Sequence, residues 1–523
     1  MRNSTKKNII YVFADQLRLQ SLGYFGDQVA KTPHIDRIAG ESCHMTNAVS
    51  GHPVCSPYRA SLFTGKYTTS NGMVTNEIRI SPEHKTFAHV LNEEGYKTSY
   101  IGKWHLYANR LGNHDNSDNS YIPKGPDRLG FDDFFAAYNF HHEYVGEKSY
   151  YHLDSPAKIS FDGYEPDCQT DMAIGELERL SEGEDPFALF LSLGTPHDPW
   201  ESWNVPNEYY ELFKDVEFNL PENFRKSNDP YSDYWACLSD ESDKEIPEWM
   251  RVYYAMVSNL DHNIGRLYAA CERMDLLTDS VFVFTSDHGE MFGAQGRRAK
   301  NCFYEEAVRV PFLLKDSNIL NTVSDVCLNS VDIMPTLLSL LDLPIPEQVD
   351  GRDLSQAIKG FHDNGEPQGA LLMSTGATAV FEDGHEWRGY RTKQYTYAEY
   401  LYDYGSDEYP PKMLSEKSED NSDDALMLRH VLKGFDGRYG SPEEFPRVYL
   451  FDNENDPLQQ KNLSENPRFC KEREALKQAM YTEMERIGDH FRPISYYKEN
   501  CIVDRCVKQE KVTTSRKEKK RIV

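Results

Sequence analysis

The sequence NIIYVFADQ, residues 8–16, decides the fold, because two polar side chains directly follow an uninterrupted apolar run. A run of this kind, rich in β-branched and aromatic residues, predicts a strand that is buried on both faces. Asp15 and Gln16 would then lie just past the carboxyl end of a central strand. That is where open α/β sheets bind their ligands.

The same order of apolar strand, polar cluster and helix recurs along the chain. Further strands are predicted over residues 97–101, 187–193 and 280–284, and each ends in a polar cluster: GKWH, GTPH and TSDHG. Helices are predicted over residues 33–39, 56–64, 87–94 and 248–274. This alternation is typical of an α/β sheet with helices on both faces. If the strands lie side by side, the polar clusters meet at one edge of the sheet.

The second part of the chain has a different pattern of apolar and polar residues. Residues 387–401 alternate aromatic and polar side chains like a pair of strands, residues 448–451 predict a short strand, and residues 470–487 predict an amphipathic helix. Residues 405–424 are acidic and predict an exposed insertion. We therefore expect a large α/β domain over residues 1–385, a smaller C-terminal subdomain of antiparallel strands plus a helix over residues 386–495, and a basic, flexible tail over residues 496–523.

The formal net charge of the 523 residues is −27. Such a chain repels nucleic acid and anionic membrane surfaces at long range, so neither is an expected partner, and the seven basic residues within residues 508–523 do not change this. No stretch approaches about 20 apolar residues, so no transmembrane helix is predicted. The apolar run that begins at residue 9 is too short for a signal peptide, which makes the chain as written cytoplasmic; it would be periplasmic or secreted if a leader had been removed.

The ten cysteines are scattered along the chain without a tight repeated spacing. This pattern argues against a disulfide scaffold and against a C-x-x-C zinc site. Free thiols in a reducing compartment are expected. A local bridge between Cys501 and Cys506 stays open.

The sequence CSPYR, residues 55–59, continues directly as ASLFTG, residues 60–65. The pentapeptide alone recurs by chance, but the longer run resembles the signature of the formylglycine-dependent, or type I, sulfatases of the alkaline phosphatase superfamily. Further motifs of that family follow in its order, through about residues 8 to 490. They are DQ at residues 15–16, TPHIDR at 32–37, GKWH at 102–105, HDPW at 197–200, SDHGE at 286–290 and the lysine at 300.

The resemblance implies a large, mixed, mostly parallel sheet of the alkaline phosphatase type and a catalytic role for the first domain. It implies hydrolysis of a sulfate monoester, with a sulfated carbohydrate as the expected substrate. A separate maturation enzyme would convert Cys55 to formylglycine. The metal ligands would be Asp15, Gln16, matured Cys55, Asp287 and His288. Their oxygen donors suit Ca²⁺, while the imidazole nitrogen keeps Mn²⁺ or Zn²⁺ open.

The resemblance also implies a role for each cationic side chain. The hydrated aldehyde would attack sulfur through a metal-bound hydroxyl, form a covalent sulfate intermediate, and expel sulfate as the aldehyde re-forms. Arg59 would orient this hydrate, and Lys103 and Lys300 would bind sulfate oxygens. His105 would take the proton in the elimination step, and His197 would protonate the leaving oxygen. Candidates for a substrate subsite are His141, His142, Trp200, Trp387 and Arg388.

Two other functions compete with this interpretation. A phosphonate or phosphate ester hydrolase of the same superfamily also uses formylglycine, but the pairing of Lys103 with His105 favours the sulfatase pattern. A binding protein that has lost its activity is a different class of explanation. Because every expected active-site position is filled, the sequence favours an enzyme.

Overall fold

The computed structural model describes residues 6–108, 119–361, 368–379, 381–410 and 439–500. In chain order the strands are β1 (Asn8–Ala14), β2 (Cys43–Met45), β3 (Lys97–Lys103), β4 (Phe134–Tyr138), β5 (Tyr150–Tyr151), β6 (Ile159–Ser160), β7 (Phe187–Leu193), β8 (Ser280–Ser286), β9 (Phe312–Lys315), β10 (Val323–Ser324), β11 (Gly369–Ser374), β12 (Trp387–Thr392), β13 (Tyr395–Tyr400) and β14 (Val448–Asp452). The α-helices are α1 (Pro33–Glu41), α2 (Cys55–Thr64), α3 (Thr68–Asn71), α4 (Phe87–Glu93), α5 (Glu165–Ser181), α6 (Asn207–Tyr210), α7 (Ser242–Arg273), α8 (Glu305–Val308), α9 (Ile333–Leu340), α10 (Ser355–Ile358), α11 (Cys470–Arg486) and α12 (Ile494–Asn500).

The largest sheet has eight strands in the order β10-β2-β9-β8-β1-β7-β3-β4. The five strands from β8 to β4 run parallel to their neighbours, whereas β9 is antiparallel to both β8 and β2. This is the mixed, mostly parallel sheet that the sequence predicts. Because β8, β1, β7 and β3 are adjacent and parallel, their carboxyl ends meet at one edge.

Alternate side chains of β1 enter two separate hydrophobic cores. Ile9, Tyr11 and Phe13 pack in a core that also receives α2, α4 and α9. Ile10 and Val12 pack in the other core, with α1, α5 and α7. The continuous apolar run therefore has its physical reason in helices on both faces of the sheet, which confirms the predicted fold class.

The long helix α7 begins earlier than the sequence pattern suggests. The predicted start was Glu248, directly after Pro247, but the helix begins at Ser242 and continues through that proline. Ile246, one residue before the proline, is fully buried, so tertiary packing favours the helical turn that the proline alone disfavours. Among the described residues, no helix is both long enough and apolar enough to cross a bilayer.

The four-stranded sheet is antiparallel, in the order β11-β12-β13-β14, and α11 packs on it through Leu476, Met480 and Met484. Antiparallel strands plus a helix are what the sequence predicts for this region. β11, which was not predicted, begins at Gly369 and so precedes the proposed boundary at residue 386. The division into domains itself stays a prediction.

Two predictions fall partly outside the described residues. α12 covers residues 494–500, so the first residues of the expected flexible tail are helical, while residues 501–523, with Cys501 and Cys506, lie outside the description. Residues 411–438, which contain most of the expected acidic insertion, also lie outside the description. The eight cysteines within the described part of the chain are all free thiols.

Candidate active site

Four neighbouring strands deliver polar side chains to one edge of the large sheet. Asp15 follows β1, His197 follows β7, Asp287 follows β8, and Lys103 is the last residue of β3. The register aligns the last residues of β1, β7 and β8, so these side chains reach a common point. The convergence expected from the sequence is therefore present.

Cys55 is the first residue of α2, and its side chain contacts the residues at these strand ends. Its Sγ lies 3.2 Å from Nε2 of His288 and 3.5 Å from Oδ1 of Asp15. Burial, followed by the charge of Asp15, raises the pKa of the Cys55 thiol to about 12. The thiol is therefore protonated at neutral pH, and an unmodified cysteine is a poor nucleophile here.

Asp15, Cys55, Asp287 and His288 form a compact group that fits a metal ion. Their donor atoms all lie within 4.8 Å of one another, and all four side chains are buried. Nδ1 of His288 donates to the carbonyl of Gly289 at 3.0 Å, so Nε2 keeps its lone pair. That nitrogen lies 3.7 Å from Oδ1 of Asp15 and 3.6 Å from Oδ1 of Asp287. Two carboxylates and an imidazole lone pair facing one another are suitable ligands for a divalent cation.

The two carboxylates of this group have opposite pKa shifts. Burial, with repulsion from Asp15 added, raises the pKa of Asp287 to about 7. Burial also acts to raise the pKa of Asp15, but the charges of Lys103 and Arg59 hold it well below its usual range. A cation between the two carboxylates would favour the ionised form of both.

Arg59 and Lys103 are held rigidly beneath the carboxylates. Arg59 is completely buried, and its guanidinium lies 3.1 Å from Oδ2 of Asp15 and 3.5 Å from Oδ2 of Asp287. It also donates to the Lys103 carbonyl at 2.6 Å and to Oγ of Ser192 at 2.7 Å. Nζ of Lys103 lies 2.7 Å from Oδ2 of Asp15. Both cations are thus fixed before any substrate arrives.

Lys300 joins two other predicted residues. Its Nζ donates to Oε1 of Gln16 and, at 2.7 Å, to Nε2 of His197. The opposite ring nitrogen of His197 donates to the carbonyl of Asp198, and Nε2 of Gln16 donates to Glu290 at 2.7 Å. Burial, and then the charge of Lys300, lower the pKa of His197 well below its usual range. His197 is therefore neutral, and its Nε2 accepts a hydrogen bond from the ammonium group of Lys300.

His105 is paired with a residue that sequence reasoning missed. Its Nε2 lies 2.9 Å from Oε1 of Glu77, and its ring packs against Phe140. Its Nδ1 has no hydrogen-bond partner among the described residues, and His105 lines a cavity together with Cys55. Burial lowers the pKa of His105 to about 3, so the ring is neutral. Glu77 accepts from Nε2, and the free lone pair is then on Nδ1.

The cavity above this cluster has a volume of about 360 Å³. His105, His197, Lys300 and Cys55 line its reactive end. The rest of its lining includes Phe140, His142, Asp198, Trp200, Glu201, Trp235, Glu245, Trp249 and Arg298. A pocket with apolar walls and a few convergent polar groups is the usual form of a small-molecule site.

The five residues considered for a substrate subsite separate into three groups. His142 and Trp200 line the cavity. His141 lies behind it, stacked on Tyr138 and 2.6 Å from Glu165. Trp387 and Arg388 are completely buried in the C-terminal sheet, where the tryptophan donates to a backbone carbonyl and the arginine pairs with Asp489. These last two are therefore not substrate-binding candidates.

Sequence reasoning also missed the outer lining of the cavity. Trp235 lies in a short 3-10 turn and Arg298 in a loop, and neither region has a periodic pattern. Glu245 and Trp249 belong to the first turns of α7. A signal for these two was available, because a helix start before Pro247 would have placed them on one face, four residues apart.

The comparisons with known proteins agree with this geometry. The sulfatase family model matches residues 7–343. The chain is 32% identical over 498 residues to an ulvan-active sulfatase of Formosa agariphila, covering 94% of this chain and 84% of that protein. It is 26% identical over 425 residues to an N-acetylglucosamine-6-O-sulfatase of Bacteroides thetaiotaomicron, covering 68% and 72%. A crystal structure from Bacteroides fragilis, named as the sulfatase yidJ, superimposes with a TM-score of 0.73 at 26% identity, covering 95% and 98%.

A family match across more than half of the chain thus coincides with a buried metal-binding group at the expected strand ends. The chain belongs to the sulfatase family and is a sulfuric ester hydrolase.

Proposed function

We propose that this sulfatase hydrolyses a sulfate monoester on a saccharide, with Cys55 matured to formylglycine and with Ca²⁺ as the bound cation. The observation that carries the proposal is the meeting of Cys55 Sγ with Asp15, Asp287 and His288 at the floor of a cavity that also contains Lys300 and His197. The relatives support the substrate class, because one is named for ulvan and another for N-acetylglucosamine.

Asp15, Asp287 and His288 would hold the cation, with Gln16 beside them. Such a cation supplies charge that lowers the pKa of a nearby hydroxyl and stabilises developing negative charge. Two carboxylates and an amide oxygen favour a hard cation, which is why we propose Ca²⁺ rather than Mn²⁺ or Zn²⁺. The high pKa of the Cys55 thiol supports the need for maturation, since the thiol itself is inert at neutral pH.

The fixed cations would bind the sulfate group. A sulfate ester is an anion, so its approach to two carboxylates needs compensating positive charge. Lys103 is buried beside Asp15 and Lys300 beside Gln16, so both ammonium groups would be held close to the bound sulfate group. Arg59 lies deeper and would hold Asp15 and Asp287 in place while offsetting their charge.

The two histidines would move protons on opposite sides of the reaction. His197 accepts a hydrogen bond from Lys300, and an anionic substrate beside this pair would raise its pKa, so that it can protonate the leaving oxygen. His105 carries a free Nδ1 lone pair at the cavity, which suits a base that removes a proton when sulfate is expelled. A formylglycine-generating maturation enzyme is the implied protein partner.

The deciding experiment combines peptide mapping with a substrate screen. Mass spectrometry of active enzyme should show an aldehyde at position 55, and Cys55→Ala should abolish turnover. The matured enzyme should release sulfate from sulfated mono- or disaccharides and from an aryl sulfate much faster than it cleaves an aryl phosphonate. Full activity in Cys55→Ala, or a preference for the phosphonate, would reject the proposal.

A further inference from the structure

The cavity has a second, chemically different region beyond its reactive end. We call this region the outer wall; it consists of Trp200, Glu201, Trp235, Glu245, Trp249 and Arg298. If the scissile sulfur lies over Cys55, as the proposed function requires, the leaving group must extend from there toward the outer wall. The chemistry of the outer wall therefore indicates which leaving group the cavity accepts, rather than how it binds the sulfate.

Three indole rings give the outer wall an apolar, flat character. Trp200 is 7% exposed and is fixed by the hydrogen bond from its Nε1 to the Pro196 carbonyl. Its ring centroid lies 6.1 Å from that of Trp249, which is partly exposed, as is Trp235. Partly exposed indoles offer a face against which the C–H face of a sugar ring can pack.

The anionic side chains of the wall suit hydroxyl groups. Glu201 and Glu245 are both exposed, and a carboxylate only accepts hydrogen bonds. Sugar hydroxyls are the donors that such carboxylates bind well. A second sulfate or a uronate on the leaving group would instead meet like charge, because the outer wall carries two carboxylates, Glu201 and Glu245, and one cation, Arg298.

Arg298, the cation of the outer wall, is already engaged with the indoles. Its Nε donates to the Trp235 carbonyl at 3.0 Å, and its guanidinium carbon lies 5.8 Å from the Trp249 ring centroid. It therefore contacts the ring of Trp249 and the backbone of Trp235. A quaternary ammonium group would have to displace this guanidinium from the Trp249 ring.

We infer that the outer wall is a subsite for a neutral sugar ring and that it discriminates against a second anionic group on the leaving group. This inference rests on the proposed function and deepens it, since it selects one class among sulfated saccharides. The enzyme would favour substrates whose only charge is the sulfate to be removed.

Two matched disaccharides test the inference. Both carry one identical sulfate ester, but the second ring is a neutral hexose in one and the corresponding uronic acid in the other. We expect kcat/KM of the matured enzyme to favour the neutral disaccharide by at least about tenfold, the scale of a modest change in transition-state binding. Equal rates, or a preference for the uronate, would overturn the inference.

Variants of the outer wall test whether its two carboxylates cause the preference for the neutral disaccharide. In the double variant Glu201→Gln and Glu245→Gln, the preference for the neutral substrate should fall at least about threefold, chiefly because the uronate is turned over faster. Glu178→Gln removes one exposed charge from α5, away from the cavity lining, and should keep the wild-type preference. An unchanged preference in the double variant would remove these two carboxylates from the subsite.

Two further measurements separate this inference from the proposed function. If an aryl sulfate is hydrolysed but the uronate disaccharide is preferred, the inference fails while the proposed function stands. If neither the aryl sulfate nor any saccharide is hydrolysed by enzyme with the aldehyde present, the proposed function fails. Calorimetry of both disaccharides with Cys55→Ala gives the ratio of Kd values without turnover, and a ratio near one would contradict the subsite.

Discussion

Lys103 and Lys300 carry ammonium groups that are almost completely shielded from water, and each is held by a different partner. Lys103 is paired with Asp15, whereas Lys300 donates to Gln16 and to the ring of His197. Each cation thus has a fixed position before substrate binds, and little reorganisation remains to be done in the transition state.

We expect Lys103→Ala to lower kcat/KM by at least about 100-fold, the scale found when one oxyanion-stabilising donor is removed. The loss should exceed any change in thermal stability, which we would measure by calorimetry on the same samples. Lys97→Ala is the matched control, since Lys97 lies on the same strand but is half-exposed at its far end. A wild-type rate in Lys103→Ala would remove this lysine from the site.

We propose that Glu77 acts on the reaction through His105. It does not line the cavity, but it accepts from Nε2 of His105 and so leaves Nδ1 as the free base. We expect Glu77→Ala to lower kcat about tenfold or more with little change in KM, and Glu77→Gln, which keeps an acceptor, to recover part of the loss. Glu83→Gln, an exposed neighbour, is the control. A change confined to KM would mean that Glu77 contributes to binding instead.

At the scale of the elements, local patterns predicted what lies along one strand and missed what depends on pairing between distant segments. β1 and β7 have the predicted bounds, because burial on both faces favours apolar side chains at nearly every position. The order of the strands and the pairing of Glu77 with His105 depend on contacts between distant parts of the chain. No periodic signal marks such contacts.

Gly102 shows how closely two of these strands approach. Its φ is +105°, and a Cβ atom at this position would lie 2.0 Å from the Ser192 carbonyl oxygen in β7. Gly102→Ala should therefore force β3 away from β7 and displace Lys103, the next residue. We expect a lower unfolding midpoint together with a loss of kcat/KM. Wild-type values of both would show that the sheet can adjust.

Arg388 and Asp489 connect β12 to the segment that follows α11. Both side chains are completely buried, and the Arg388 guanidinium donates to both carboxylate oxygens. Arg388→Met should lower the free energy of unfolding by about 3–5 kcal/mol, because Asp489 would keep an uncompensated buried charge. Since Arg388 does not line the cavity, KM of the folded fraction should not change. Denaturant unfolding and steady-state kinetics measure the two effects, and a KM effect without destabilisation would contradict this assignment.

At the scale of the whole molecule, a strongly acidic chain contains a small buried cluster of three cations, Arg59, Lys103 and Lys300. A formal charge of −27 repels anions over about 8–10 Å in physiological salt, so the attraction of a sulfate ester must come from inside the cavity. The bound cation would add to this local attraction and would also tie β1 to β8 through Asp15 and Asp287.

We therefore expect a divalent cation to stabilise the fold as well as the reaction. In Cys55→Ala treated with a chelator, adding Ca²⁺ should raise the unfolding midpoint. The free energy of unfolding should increase by about 2.7 kcal/mol when the Ca²⁺ concentration is roughly 100 times its Kd. Comparing Ca²⁺, Mn²⁺ and Zn²⁺ ranks the candidates. The same additions to a double variant, Cys55→Ala with Asp287→Ala, should have little effect. An equal response in both variants would place the cation elsewhere.

The depth of residue 55 has a consequence for the order of events in the life of the protein. Its side chain is 1% exposed at the first turn of a helix whose ten residues are all buried. A sugar ester can enter the cavity above it, but the catalytic groups of another enzyme cannot. If Cys55 is matured as we propose, its oxidation would therefore have to precede burial of the helix, while the chain is still being made or is held unfolded. A polypeptide that refolded without this oxidation would have the correct architecture but no sulfatase activity.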